Sequence, residues 1–581
     1  MKSFFIKTFI GLSVISSFFY LNEIAALEGC LQDKRKISMV GDLDYIKHTL
    51  DGYYVPLEWK KQMLACDLEQ SYQNAKAKIL NTENITVKEF QKIIKQFLGS
   101  MYDYHLGASF ISTEFATLPF SVKSVNGRYF VNAVDARSLS PSDYKIKVGD
   151  ELIEFDGRPP SDAITELLEA LGRYNKNPTD QSLAETSLTY RSGMKGDDVP
   201  QGPILVKFNS KEEGVYSYQL VWNYHPEMIT SPADHLPLLT KSLSDLFKFF
   251  EKPKIECKLK MIAFEQELYN KCDPKLAKVG AIKSFLPTLG ELVWQPEEKL
   301  FFSPCIYKNE AGYAIGYIRI PHYAIGLEEL RLFEEIIDYL QLHTDALVID
   351  QVQNPGGLVS YVYALASRLT NFPLATPQHR LKINQWTVLN AYNDLENLET
   401  IQSDAEAKEV LEEFHPLPTL QYVLFIKEYC RFIIKEWNLG KTFTDPTYLE
   451  GADYLNPHST HRYTKPILIL IDELDFSGGD FFPAIMQDNK RATLFGAKTA
   501  GAGGAVSEVF FPERNQHGIL GFKYTISLAA RPNQQAIENF GVKPDIEYQI
   551  TEEDLQTNYQ PYIKAVNQAV QKLLQAEPSS Q

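Results

Sequence analysis

The chain has 581 residues, 44% hydrophobic and 23% charged, with 58 Lys and Arg against 74 Asp and Glu, giving a net charge of −16. Such a length holds about two to four domains with filled cores, and the composition is that of a globular protein. The acidic balance and the lack of any Lys/Arg block argue against a nucleic-acid partner, because neutralising phosphates requires a basic face.

At the N-terminus, Lys2 and Lys7 precede an apolar run from Phe9 to Tyr20, and the small residues Ala25 and Ala26 follow. The run is too short to span a bilayer, so residues 1–26 read as a secretory signal peptide. The mature chain is then exported, with no stable membrane insertion once the signal is removed. Six cysteines without CxxC spacing do not make a disulfide framework, and no motif calls for a metal or a cofactor.

Residues 27–114 read as an N-terminal helical region. Thr86 and Glu89 form a capping box, Phe90, Ile93, Ile94, Phe97, Leu98 and Met101 recur at helical spacing, and Gly99 supplies a stop. His105 follows on a loop, in MYDYHLG. Residues 115–228 are β-rich: GRYFVNAV and KVGDELIEFDG read as strands, the second ending in an Asp156-Gly157 turn, and SDAITELLEALG as an amphipathic helix. The order resembles a PDZ domain, a module that binds peptides by strand addition; a generic small β-rich domain is the alternative. Residues 229–300 read as a connector with exposed parts. From 301 to 581, strands, glycine loops and helices alternate, which predicts an α/β domain with a largely parallel sheet, interrupted by a polar, partly helical insertion over about 375–465.

Two loops in that last section could carry chemistry. The apolar run Ile467–Ile471 is followed by DELDFSGGDFFPAI, which puts Ser477 at a strand-to-helix corner with Gly478 and Gly479 behind it. Backbone N–H groups at such a corner can stabilise an oxyanion. A serine there can equally cap the helix, and Pro483 places the start of a regular helix near Asp480. The hydrolase elbow GxSxG is absent, since Asp475 stands where its first glycine belongs. The second loop, Asn354-Pro355-Gly356-Gly357, has the same placement after TDALVID, and it is either another N–H donor or an ordinary tight turn. Among eleven histidines, His105, His458 and His461 stand on loops without a metal-binding pattern. GAGG at 501–504 is followed by a strand-like run and is no dinucleotide fingerprint.

The set YHLG, VGDELIEFDG, FLPTLGELVW, IDQVQNPGG, LDFSGGDFFPAIMQDNKRATLFGAKTAGAGG and IENFGVKPDI, in this order, resembles the tail-specific (carboxyl-terminal processing) protease superfamily. Within it, the set is most similar to the family of the chlamydial protease-like activity factor. The resemblance implies a crotonase-like protease domain and a serine endopeptidase acting on protein substrates. It implies Ser477 as nucleophile, His105 as general base and Glu538 as the acid orienting it. Oxyanion donors would come from the backbone of Gly356, Gly357 and Gly478. It further implies a self-cleaving zymogen with the connector over the active site, a homodimer, and possible delivery into a host cell as a virulence factor. Many members of the wider superfamily use a serine–lysine dyad; here that lysine's place is Ala502, and Lys498 lies at the preceding strand end, so the histidine triad is preferred. A rival of another class is a non-catalytic PDZ-like peptide-binding protein.

Overall fold

The computed structural model describes residues 34–135, 144–174, 177–228, 279–298, 300–324, 326–411, 419–511 and 517–575. The expected signal peptide, and residues 229–278 of the connector, lie outside them.

The C-terminal α/β section is built on a seven-stranded sheet in the order Glu291–Trp294, Cys305–Lys308, Ala314–Arg319, Ala346–Asp350, Ile467–Ile471, Thr493–Gly496, Ile546–Glu547. The first two junctions are antiparallel and the remaining four parallel. Every residue of Ala346–Asp350 and Ile467–Ile471 is buried, as near-continuous apolar runs predict for strands covered on both faces. Alternate side chains serve different layers. Leu347, Ile349, Ile467, Ile469 and Ile471 join the core containing Phe333, Tyr361 and Phe482. Val348, Leu468 and Leu470 face Tyr562 and Val566 of the helix Gln560–Gln575. The strand Glu291–Trp294 falls inside the span read as connector, which therefore ends earlier than residue 300; Trp294 stacks on Tyr339 at 4.3 Å.

The expected insertion contains the helices Gln385–Leu398, Asp404–Leu411 and Leu420–Asn438. The PDZ-like section has an antiparallel sheet in the order Phe120–Val125, Arg128–Val134, Glu151–Phe155, Pro203–Ser210, Gly214–Val221, with the helices Pro160–Ala170 and Pro178–Thr189. Its core takes Ile164, Leu167 and Leu168 from the predicted amphipathic helix. At the turn after Glu151–Phe155, Asp156 and Gly157 have φ 54° and 76°, the left-handed pair that a tight hairpin requires.

The N-terminal helices are sewn into the C-terminal section. The capping box forms as read: Glu89 N donates to Thr86 Oγ1 at 3.2 Å, and Thr86 N to Glu89 Oε2 at 2.7 Å. Phe90, Ile94, Phe97 and Leu98 of that helix share a core with Ile519, Phe522 and Tyr524. The strand Gly107–Phe110 pairs antiparallel with Ile519–Thr525. This pairing carries the His105 loop to the carboxyl ends of the parallel strands.

Candidate active site

Ser477 is the N-cap of the helix Gly478–Asp488 and is only partly exposed, but its side chain makes no capping hydrogen bond. Its backbone sits at φ 56°, ψ −113°, a conformation costing a non-glycine residue about 1–3 kcal/mol, retained only where the surroundings impose it. They do so here. Phe476 N donates to Asn354 O at 2.8 Å, Gly479 N to Phe476 O at 2.7 Å, and Asp480 N and Phe481 N to Ser477 O at 2.8 and 2.9 Å. The helix begins at Gly478, earlier than Pro483 suggested. Proline at that position offers no N–H to Gly479 O; Gln351 Nε2 supplies the missing donor at 2.8 Å. This replacement explains how the helix tolerates the residue.

Asp475, which displaces the elbow glycine, is the buried hub between the two loops. Its carboxyl group accepts from Asn354 N at 2.9 Å, Gln351 Nε2 at 3.0 Å and Asp472 N at 3.1 Å. Burial, with the charge of Asp472 added, pushes its pKa well above the ordinary range. On the other side of the helix, Asp480 accepts from Thr499 Oγ1, from Gly501 N at 2.8 Å and from Ala502 N at 2.9 Å. The loop before Ser477 also docks on the PDZ-like domain: Thr179 Oγ1 donates to Glu473 O at 2.9 Å, and Ser182 Oγ to the Glu473 carboxylate at 2.7 Å, which also pairs with Lys123.

The two glycine loops meet. A Cβ on Gly356 would lie 2.6 Å from both Gly478 N and Ser477 Cβ, and a Cβ on Gly478 would lie 3.2 Å from Gly357 N. Among the described residues, no acceptor takes the N–H of Gly357 or of Gly478. Gly356 differs from the expectation: its N–H donates to Asn354 Oδ1 at 2.8 Å, so it is not available to an oxyanion. That bond folds the Asn-Pro turn on itself while leaving the next N–H outward.

His105 is half-buried on its loop, with its N–H on Asp103 Oδ1 at 2.8 Å. The neighbouring Tyr104 ring meets the Phe476 ring at 5.5 Å, which brings the segments of His105 and Ser477 together. Glu538 is fully buried; its Oε1 accepts from Lys60 Nζ and its Oε2 from Gly503 N at 2.9 Å. Burial and the charge of Asp103 push its pKa up to about 7, against the pull of Lys60. For Asp103, burial works in the same upward direction, but Lys60 and His105 outweigh it and hold the group below the ordinary carboxylate range. Gly501 and Ala502 are fixed to Asp480, and Gly503 to Glu538, so one short loop joins the Ser477 helix to Glu538.

Residues 114–229 match the PDZ domain, and residues 314–548 match peptidase family S41. A protein of Chlamydia pneumoniae is 36% identical, covering 94% of this chain and 92% of its own, and one of Chlamydia muridarum is 35% identical, covering 92% of each. Mature CPAF complexed with lactacystin superposes with a TM-score of 0.78 at 31% identity, over 93% of this chain and 99% of that one. The chain belongs to the CPAF family of S41 peptidases. A CPAF variant with a serine replaced by alanine superposes with a TM-score of 0.77 at 30% identity, covering 94% and 99%. As a CPAF-family member the chain is a serine-type endopeptidase, which sets aside the non-catalytic peptide-binding reading.

For a CPAF-family enzyme, the absence of a lysine at Ala502 has a structural counterpart. Ala502 is buried and its N–H is held by Asp480, while Lys498 is exposed. Sequence reasoning missed Lys60, Asp103, Gln351 and Asp480. Gln351 and Asp480 carried a signal by lying beside the two glycine loops, and Asp103 by standing in MYDYHLG two residues before His105; Lys60 carried none.

Proposed function

We propose that the chain cleaves protein substrates through a triad of Ser477, His105 and Glu538. The observation that carries the reading is a serine in a strained helix-cap position that does not cap, beside two backbone N–H groups without an acceptor among the described residues. In this reading Ser477 Oγ attacks the peptide carbonyl and His105 takes its proton. Glu538 supports the imidazolium, and the N–H groups of Gly357 and Gly478 receive the oxyanion. The exposed side chain of Lys498 disfavours the serine–lysine dyad as the alternative. Ser477→Ala is expected to abolish cleavage of a fluorogenic peptide without lowering the melting temperature; turnover at the wild-type rate in that variant refutes the assignment.

The reading extends to a crotonase-like core, supported by four parallel junctions and by N–H groups offered at two neighbouring strand ends. It also includes a self-cleaving zymogen. In its support, the described part of the connector lies on the proposed oxyanion loop: Gly280 N donates to Gln353 O at 2.8 Å, and Arg319 reaches Ala281 O at 3.1 Å. The solved relatives are described as mature CPAF. Export through the segment 1–26, delivery into a host cell and homodimer formation rest on the N-terminal pattern and on the family. Among the described residues no helix is long and apolar enough to cross a membrane.

A further inference from the structure

Lys60 lies on the helix Leu57–Leu64 with its side chain fully buried. An ammonium group has three protons to donate, and each has a destination. They go to Glu538 Oε1, to Asn539 Oδ1 at 2.5 Å and to Tyr102 O at 2.9 Å. Tyr102 O also accepts from Asn539 Nδ2 at 2.8 Å. Tyr102 leads into the His105 loop, so a single side chain fastens that loop to the Glu538–Asn539 turn. Both fastened residues are in left-handed conformations, Tyr102 at φ 51° and Asn539 at φ 58°; asparagine takes this region readily, whereas a tyrosine seldom does.

The charges explain why a lysine is worth burying there. Asp103 is fully buried; its Oδ1 accepts from the His105 N–H at 2.8 Å and its Oδ2 from Tyr54 Oη at 2.9 Å and Thr525 Oγ1 at 2.8 Å. Asp103 and Glu538 bring two negative charges into one dry cluster and Lys60 one positive charge. The surplus single negative charge is balanced when His105 takes the proton of Ser477. Without Lys60, two buried carboxylates in mutual repulsion would retain a proton between them, and Glu538 would be the one neutralised.

We propose that Lys60 is a positioning residue of the peptidase centre, keeping Glu538 ionised beside Asp103 and tying the acid-bearing turn to the His105 loop. The proposal rests on the triad reading above. The other groups facing the cluster do not titrate in its working range. Burial raises the Tyr54 hydroxyl and the Cys66 thiol. Arg173 donates to Asp103 O at 2.9 Å, and its guanidinium lies 4.8 Å from the Tyr104 ring centroid.

The test is the pH profile of kcat and kcat/KM on a fluorogenic peptide, for the full chain and for Lys60→Met, Asp103→Asn and Glu538→Gln. Lys60→Met is expected to lower kcat at pH 7 by about 100-fold, as follows if the acid is ionised in roughly one molecule in a hundred. Its acid limb should move to higher pH. Asp103→Asn removes the surplus negative charge and should move the acid limb to lower pH. Packing alone would lower the melting temperature of Lys60→Met and leave its acid limb in place, and that result overturns the proposal. If Lys60→Met does not fold, Asp103→Asn carries the test, and an unmoved or raised limb there overturns it. Glu538→Gln separates the two readings. Wild-type kcat in that variant removes Glu538 from the triad. Its inactivity, alongside wild-type kcat and an unmoved limb in Lys60→Met, refutes the role of Lys60 alone.

Discussion

Replacing Gly356 by alanine tests how tightly the two glycine loops are fitted. The new methyl carbon would stand 2.5 Å from Phe476 O and 2.6 Å from both Gly478 N and Ser477 Cβ, on a residue at φ +88°. Ordinary carbon contacts begin near 3.5 Å, so the Ser477 corner must retreat by roughly 1 Å. None of the three atoms is the far end of a flexible side chain. The left-handed backbone costs about 1–2 kcal/mol and the overpacking another 1–3 kcal/mol, a loss of roughly 2–5 kcal/mol in stability. A 1 Å misplacement of a reacting group costs on the order of 100-fold in rate. Steady-state kinetics on a fluorogenic peptide, beside thermal melting, should therefore show kcat falling by about that factor with a smaller change in KM. Gly440→Ala is the control: Gly440 is at φ +73° with nothing within 4 Å of the point where a Cβ would stand, so it incurs the backbone cost without touching the site. A Gly356→Ala enzyme with wild-type kcat, or an equal loss in Gly440→Ala, refutes the reasoning.

Three further outcomes are expected. Ser477→Gly should be more stable than Ser477→Ala by about 1 kcal/mol in urea unfolding, because only glycine holds φ 56°, ψ −113° without strain. Gln351→Leu leaves Gly479 O, Asp475 and the Tyr323 hydroxyl without their buried partner, and should cost about 3 kcal/mol or more. Burial and the charge of Glu473 push Asp472 up to about 7. The folded state therefore binds a proton that the unfolded chain has released above about pH 4, so this group's contribution to stability is lost as pH rises through 7. Asp472→Asn should narrow the difference in melting temperature between pH 5 and pH 8; an undiminished difference rules out Asp472 as its source.

What was legible in the sequence depended on how local its cause was. The capping box at Thr86 and the buried strand Ile467–Ile471 each rest on a few consecutive side chains, and both were readable. The start of the Ser477 helix was not, because the donor that accommodates Pro483 comes from Gln351, at the end of another strand. The strand Glu291–Trp294 was hidden by its shortness and its place at a sheet edge, where Leu292 and Val293 remain exposed. Lys60 was invisible for a different reason. In EWKKQML it stands beside Lys61 on a helix of mixed polarity, and nothing within that helix says which lysine is buried. Its partners are more than 470 residues away for Glu538 and Asn539. The role of Gly356 also turned on a single bond to its own loop, which the spacing NPGG does not reveal.

The pairing of Gly107–Phe110 with Ile519–Thr525 has a consequence in time. His105 is synthesised early and Glu538 near the end, so Lys60 and Tyr102 have no partner in the Glu538–Asn539 turn until most of the chain exists. Contacts between such distant segments form late and slowly. A ribosome-bound nascent chain that stops short of residue 538 contains Ser477 and His105 but lacks both the turn and the acid. If Glu538 is the orienting acid of the proposed triad, such a chain is expected to be inactive.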